Sequence, residues 1–157
     1  MAKRARKQPE HLWLNVDIDE TLAHYAFGER WPQDRDSPGL TEFLSVTIWG
    51  TVTSPREKAG RDLQATLTGS EGFTLPWRNL MAGQPSPPIG ELQWAATRVA
   101  RVHVPPDTMW NLVAAVSAGH LRRLGLCVDT PLRGSVPVRR MHLLTRELEL
   151  AMLDKGG

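Results

Sequence analysis

A chain of 157 residues, 41% hydrophobic and 23% charged, has the length of one domain and the composition of a globular protein, which excludes an intrinsically disordered chain. No apolar run approaches the roughly 20 residues that span a bilayer. The charged N-terminus MAKRARKQPEH has no apolar stretch behind it and does not read as a secretory signal, so a cytoplasmic location is expected. The net charge of +2 hides a segregation: Lys3, Arg4, Arg6 and Lys7 make a basic tail, residues 8–97 are predominantly acidic, and residues 98–146 hold eight arginines against Asp107 and Asp129. Such a distribution either builds a basic face for an anionic partner or is neutralised by folding the acidic part against the basic one.

In chain order, residues 1–10 read as a flexible basic tail and residues 11–153 as a single β-rich domain. Leu12, Leu14, Val16 and Ile18 alternate with Trp13, Asn15, Asp17 and Asp19, the period of two expected of a strand with one buried face. Residues 43–53 repeat the pattern, with Leu44, Val46, Ile48 and Val52 opposite Ser45, Thr47, Trp49 and Thr51. The turn-rich stretch 54–60 leads into Leu63, Ala65 and Leu67, which together form a hairpin signal. Residues 69–90 hold four prolines and predict a long loop. Residues 91–104 resume strand character, with Arg98 on the apolar parity arguing for a bulge or break.

Met109, Leu112, Val113 and Val116 predict one helix over residues 108–118, with Asp107 as N-cap and Gly119 as its stop. Leu124, Leu126 and Val128 mark a short strand, residues 130–134 a turn, and residues 136–144 a further strand whose parity slips at Arg139 and Arg140. Residues 146–153 are expected to extend as a short helix or to fray. The expected fold is mainly β: an antiparallel β-sandwich or distorted barrel with one short helix and long proline-rich loops.

The run Val16-Asp17-Ile18-Asp19-Glu20-Thr21-Leu22 resembles the nucleophile motif of the haloacid-dehalogenase-like phosphatases. The resemblance implies Asp17 as nucleophile, Asp19 as general acid and base, and a magnesium ion between carboxylate and phosphate. It covers about seven residues. That family places the motif on a central parallel strand, apolar on both faces, and requires a later acidic pair for the metal. Here Asn15 and the alternation indicate one wetter face, and no such pair follows Thr21. As a strand pair, Asp17 and Asp19 would project from one face roughly 6 to 7 Å apart, but a two-metal nuclease needs a further acidic partner that the sequence does not offer.

Other chemistry is equally thin. Cys127 stands alone, which excludes an intramolecular disulfide and a multi-cysteine zinc site, and its apolar run marks it as a packed residue. His11, His24, His103, His120 and His142 show no ligand spacing, and no nucleophile elbow or phosphate-binding glycine loop occurs. Neither metal nor cofactor is expected, and the chain reads as non-enzymatic. Trp13 and Trp49 fall on the polar parity of their strands, where something should cover them: the helix or the loop around Trp31 of the same chain, or a partner. The expected function is a small accessory or adaptor module that binds another protein, with Trp13, Trp31, Trp49, Asp17 and Asp19 as contact candidates. The alternative is a nucleic-acid-associated protein using Lys3, Arg4, Arg6 and Lys7 with Arg122, Arg123, Arg139 and Arg140, without base-stacking readout.

Overall fold

The computed structural model describes residues 10–29, 40–69 and 87–145. Lys3, Arg4, Arg6, Lys7, Trp31, most of the proline-rich stretch and everything from Arg146 onward lie outside the described residues. The elements run β1 (His11–Glu29), β2 (Leu40–Ser54), β3 (Asp62–Gly69), β4 (Gly90–Trp94), β5 (Arg98–Val104), α1 (Pro106–Ser117), β6 (Leu121–Asp129) and β7 (Gly134–Thr145). The strands close into a barrel in the order β1-β2-β3-β5-β4-β7-β6, so of the two expected β architectures the protein adopts the barrel.

Closure comes from β1, which pairs antiparallel with β2 on one side and, through His11 to Asp17, with β6 on the other. The expected hairpin joins β2 to β3, and its register sets Ile48 opposite Ala65. Residues 91–104 split as Arg98 indicated, into the antiparallel pair β4 and β5 around a turn at residues 95–97. β5 lies parallel to β3, the one parallel pair among the described strands, and β4 bridges to β7. The slip near Arg139 is also real: Cys127 pairs with Arg140 but Val128 with Val138, leaving Arg139 as the extra residue.

The inward parities fill the barrel. Leu14, Val16, Val46, Ile48, Leu67, Leu92, Val102, Leu124, Leu126 and Val128 are all fully buried, and a small barrel interior is packed solid by such side chains. α1 follows β5 directly and plugs the end where β3 and β5 finish. Its Met109 is fully buried in the core, with Leu112, Val113 and Val116 packed against it, and the helix lies on β1, β2 and β3. Asp107 is not the N-cap: Pro105 holds that position without a side-chain cap, Pro106 opens the helix, and Asp107 sits in the first turn. Proline suits the first turn because its missing N–H would be unpaired there, and an acidic residue next to it favours the positive end of the helix dipole. Gly119, at φ +68°, ends the helix as expected. No helix among the described residues is long and apolar enough to cross a membrane.

Two polar devices hold the outside of the closure. Asp129, almost fully buried at the end of β6, accepts two bonds from Arg139, at 3.0 Å from Nε and 2.8 Å from Nη2, and faces His11 Nδ1 at 3.2 Å. One carboxylate thereby ties β6 to both β7 and β1. Gly125 is the second: a Cβ there would run into the His142 imidazole, which lies across β6 and stacks on Trp13 with ring centroids 4.9 Å apart and planes at 19°. Gly50 meets backbone instead, since a Cβ there would strike the Asp17 carbonyl and the Val16 side chain.

In urea unfolding, Gly50→Ala should therefore cost about 2 kcal/mol or more, because backbone must shift, while Gly125→Ala should cost less because an exposed imidazole can swing aside. Equal losses at the two sites would contradict this assignment. The Arg139 bonds hold the Asp129 carboxyl below its usual 3.8 despite the opposing effect of burial. A depressed folded value gives stability that is full above the unfolded value and is lost as pH falls through the folded one. Stability should thus decline below about pH 4, and Asp129→Asn should flatten that acid limb in pH-dependent melts; an unchanged limb would rule the contribution out.

Candidate functional site

The site begins with an irregularity in β1. Ile18 pairs with Gly50 and Glu20 with Trp49, so Asp19 is an extra residue, a β-bulge. Bulges bend a strand and re-aim side chains. Here the two aspartates of the motif are engaged on opposite flanks of β1: Asp17 lies 3.2 Å from Arg123 Nε of β6, while Asp19 accepts a 2.9 Å bond from the Thr51 hydroxyl of β2. The motif stands in mid-strand between antiparallel neighbours, not at the end of the parallel strand that the phosphatase resemblance implies. Among the described residues, no three His, Cys, Asp or Glu side chains converge to hold a metal ion.

Beyond the bulge the outward row is Glu20, Trp49 and Gln64, one residue from each of β1, β2 and β3, continued by Val99 of β5. The β4–β5 turn rises beside this row and makes a cleft of about 580 Å³, lined by Asp19, Glu20, Trp49, Asp62, Gln64, Ala96, Thr97 and Arg98. Arg98 is held at the rim. Its Nε donates to the Asp62 carbonyl at 2.8 Å, its Nη1 donates to the Ala95 carbonyl at 3.4 Å, and its guanidinium lies 5.5 Å from the centre of the Trp94 ring. Lys58 approaches the same ring at 5.9 Å.

The contact candidates thus separate. Trp49 and Asp19 meet in the cleft; Asp17 is turned to β6; Trp13, 39% exposed, is half covered by His142 rather than by α1. Trp13 and Glu20 are seven residues apart on one strand, roughly 20 Å, and Trp13 lies outside the cleft that Trp49 lines. Of the arginines, Arg123 and Arg139 are bonded to Asp17 and Asp129, while Arg122 and Arg140 are exposed. The Arg123 pair joins the basic part of the chain to the acidic part, as the neutralisation reading expected.

Sequence reasoning did not find Glu20, Asp62, Gln64 or Thr97 as neighbours of Trp49, because the pairing that gathers them joins residues far apart in the chain. Arg98 did leave a signal, its break of parity. It also did not find the exposed aromatics at the plugged end. Trp110, 53% exposed, lies 5.9 Å from Tyr25, itself 51% exposed, and His24 meets Phe43 edge-on at 5.7 Å. The signal for Trp110 was its position off the Met109, Leu112, Val113 and Val116 face.

Comparison with protein-family models, with curated proteins and with solved structures finds no match, so function rests on what this site can do. Nucleophilic chemistry at Cys127 is opposed by its surroundings: the thiol is 4% exposed, and burial pushes its ionisation upward. An alkylating reagent near pH 8 should leave Cys127 unmodified in the folded protein and modify it in urea, read by intact mass. Rapid labelling of the folded chain would overturn the packed assignment.

Proposed function

We propose that the chain is a non-enzymatic, cytoplasmic binding module that docks another protein through the cleft at Trp49. The observation that carries this reading is the state of that ring. Among the described residues Trp13 stacks on His142, Trp94 meets Arg98 and Lys58, and Trp110 meets Tyr25. Trp49 is half-buried in a concave setting of mixed polar and apolar surface, and among the described residues no ring or cation lies against it. A large ring held rigid in a cleft with a polar rim is the arrangement that supplies the central anchor of a protein interface. Arg123 and Arg139 are engaged by Asp17 and Asp129, which occupies two candidate phosphate contacts and favours a protein over nucleic acid.

The test uses a partner captured from the native cell by the full chain, then purified and measured against it directly. Trp49→Ala should weaken that complex by about 2 kcal/mol or more, and Ala96→Trp, which fills the cleft from an exposed turn without removing any buried group, should weaken it likewise. Trp13→Ala should leave it within about 0.5 kcal/mol. Binding that survives both Trp49→Ala and Ala96→Trp would remove the cleft from the function.

A further inference from the structure

The chemistry of the cleft also specifies what it would hold. Asp19, Glu20 and Asp62 line it against a single cation, Arg98. That cation is held in place: two of its five N–H donors go to backbone carbonyls and Trp94 lies against it. Asp19 accepts one hydroxyl bond from Thr51, and the carboxylates of Glu20 and Asp62 have no hydrogen-bond or ion-pair partner among the described residues. The contrast with Asp17 and Asp129, each met by an arginine from a neighbouring strand, is one of position. Those two lie along the β1–β6–β7 closure, where the protein supplies its own cations, whereas the cleft presents carboxylates beside the half-buried Trp49 indole.

Carboxylates on a concave wall concentrate a negative potential in the space they surround, and the Trp49 ring attracts a cation over its face. A guanidinium answers both demands at once. It is flat, so it stacks on an indole, and its donors lie in the plane of the stack, where they fork onto carboxylates at the edge; an ammonium is a compact, strongly hydrated point charge that stacks poorly. The volume of about 580 Å³ lies within the range of roughly 300–1,000 Å³ that holds small ligands, and the cleft opens along the outer barrel face, leaving a path for a peptide backbone. We infer that the cleft receives an arginine side chain from an extended segment of the partner protein, with the guanidinium on Trp49 and its donors on Glu20, Asp62 and Asp19. This rests on the docking role given above to the Trp49 cleft.

The probe is a short capped peptide of alternating glycine and arginine, titrated into the full-length protein and followed by the Trp49 indole N–H in proton–nitrogen NMR spectra, that signal being assigned by its loss in Trp49→Phe. Its lysine counterpart, its citrulline counterpart, which keeps the shape without the charge, and free arginine amide are the comparisons. The arginine peptide should shift the Trp49 signal, the lysine peptide should bind about tenfold more weakly, and the citrulline peptide should not bind. Glu20→Gln with Asp62→Asn, both at exposed positions, should weaken the arginine peptide about tenfold or more. The inference is overturned if citrulline binds as well as arginine, if the double substitution changes nothing, or if free arginine amide binds as tightly as the peptide, which would make the ligand a small cation. If the captured partner is lost with Ala96→Trp but retained with Glu20→Gln/Asp62→Asn, the arginine assignment fails while the docking role stands. If it is retained with Ala96→Trp and Trp49→Ala, the docking role itself fails.

Discussion

The outer surface of this barrel is organised by one backbone constraint, the gain of a residue in β1 opposite Gly50. The bulge exists because Gly50 leaves room for the Asp17 carbonyl and the Val16 side chain where any other residue would place a Cβ. β1 pairs with β6 from His11 to Asp17, which closes the barrel, and is bonded on both edges over Asn15 to Asp17; past the bulge it pairs with β2 alone. The step sends Asp19 and Glu20 toward Trp49, while Asp17, ahead of it, meets its register partner Arg123. Closure and cleft therefore adjoin at this point of β1, the β6 ladder ending at Asp17 and the cleft lining beginning at Asp19.

Much of the fold was readable from periodicity. The inward residues of β1, β2, β3 and β6 were visible as alternations, the helix as a spacing of Met109, Leu112, Val113 and Val116, and both irregularities at Arg98 and Arg139 as parity failures. Alternation reports which face of a strand is buried, but not which strand lies beside it. The choice between sandwich and barrel hung on β1 pairing with β6, more than a hundred residues away, and nothing local encodes that pairing. β1 beyond Ile18 was unreadable for a different reason. The extra residue Asp19 reverses the parity, so that Thr21 faces inward opposite Ile48 and Leu22 faces out at 56% exposure.

The candidate site was legible only in part, for related reasons. Trp49 and Asp19 were visible as outward residues, Asp19 because it kept to the polar parity of its strand and Trp49 because an indole there broke the expectation for that face. Their grouping with Asp62 and Arg98 depends on three strand pairings and a turn, a property of the assembled sheet. The Asp-x-Asp-x-Thr text shows the opposite error, in which a short string resembles chemistry that its backbone does not support. A nucleophile motif needs a strand end with space for substrate, and this one runs on as strand to Glu29.

The parallel pairing of β3 with β5 has an arithmetic origin. Directions can alternate all the way round a closed ring only if the number of strands is even; with seven, an odd number of neighbouring pairs must run the same way, and here that misfit is concentrated at one seam. Parallel ladders are slightly weaker per residue than antiparallel ones, which sets this seam apart from the other joins of the ring. The cleft straddles it, with Trp49, Asp62 and Gln64 on one side and Arg98 and Val99 on the other. A topological mismatch thus places the Trp49 cleft across the one parallel ladder among the described strands, while the packed interior runs on beneath it.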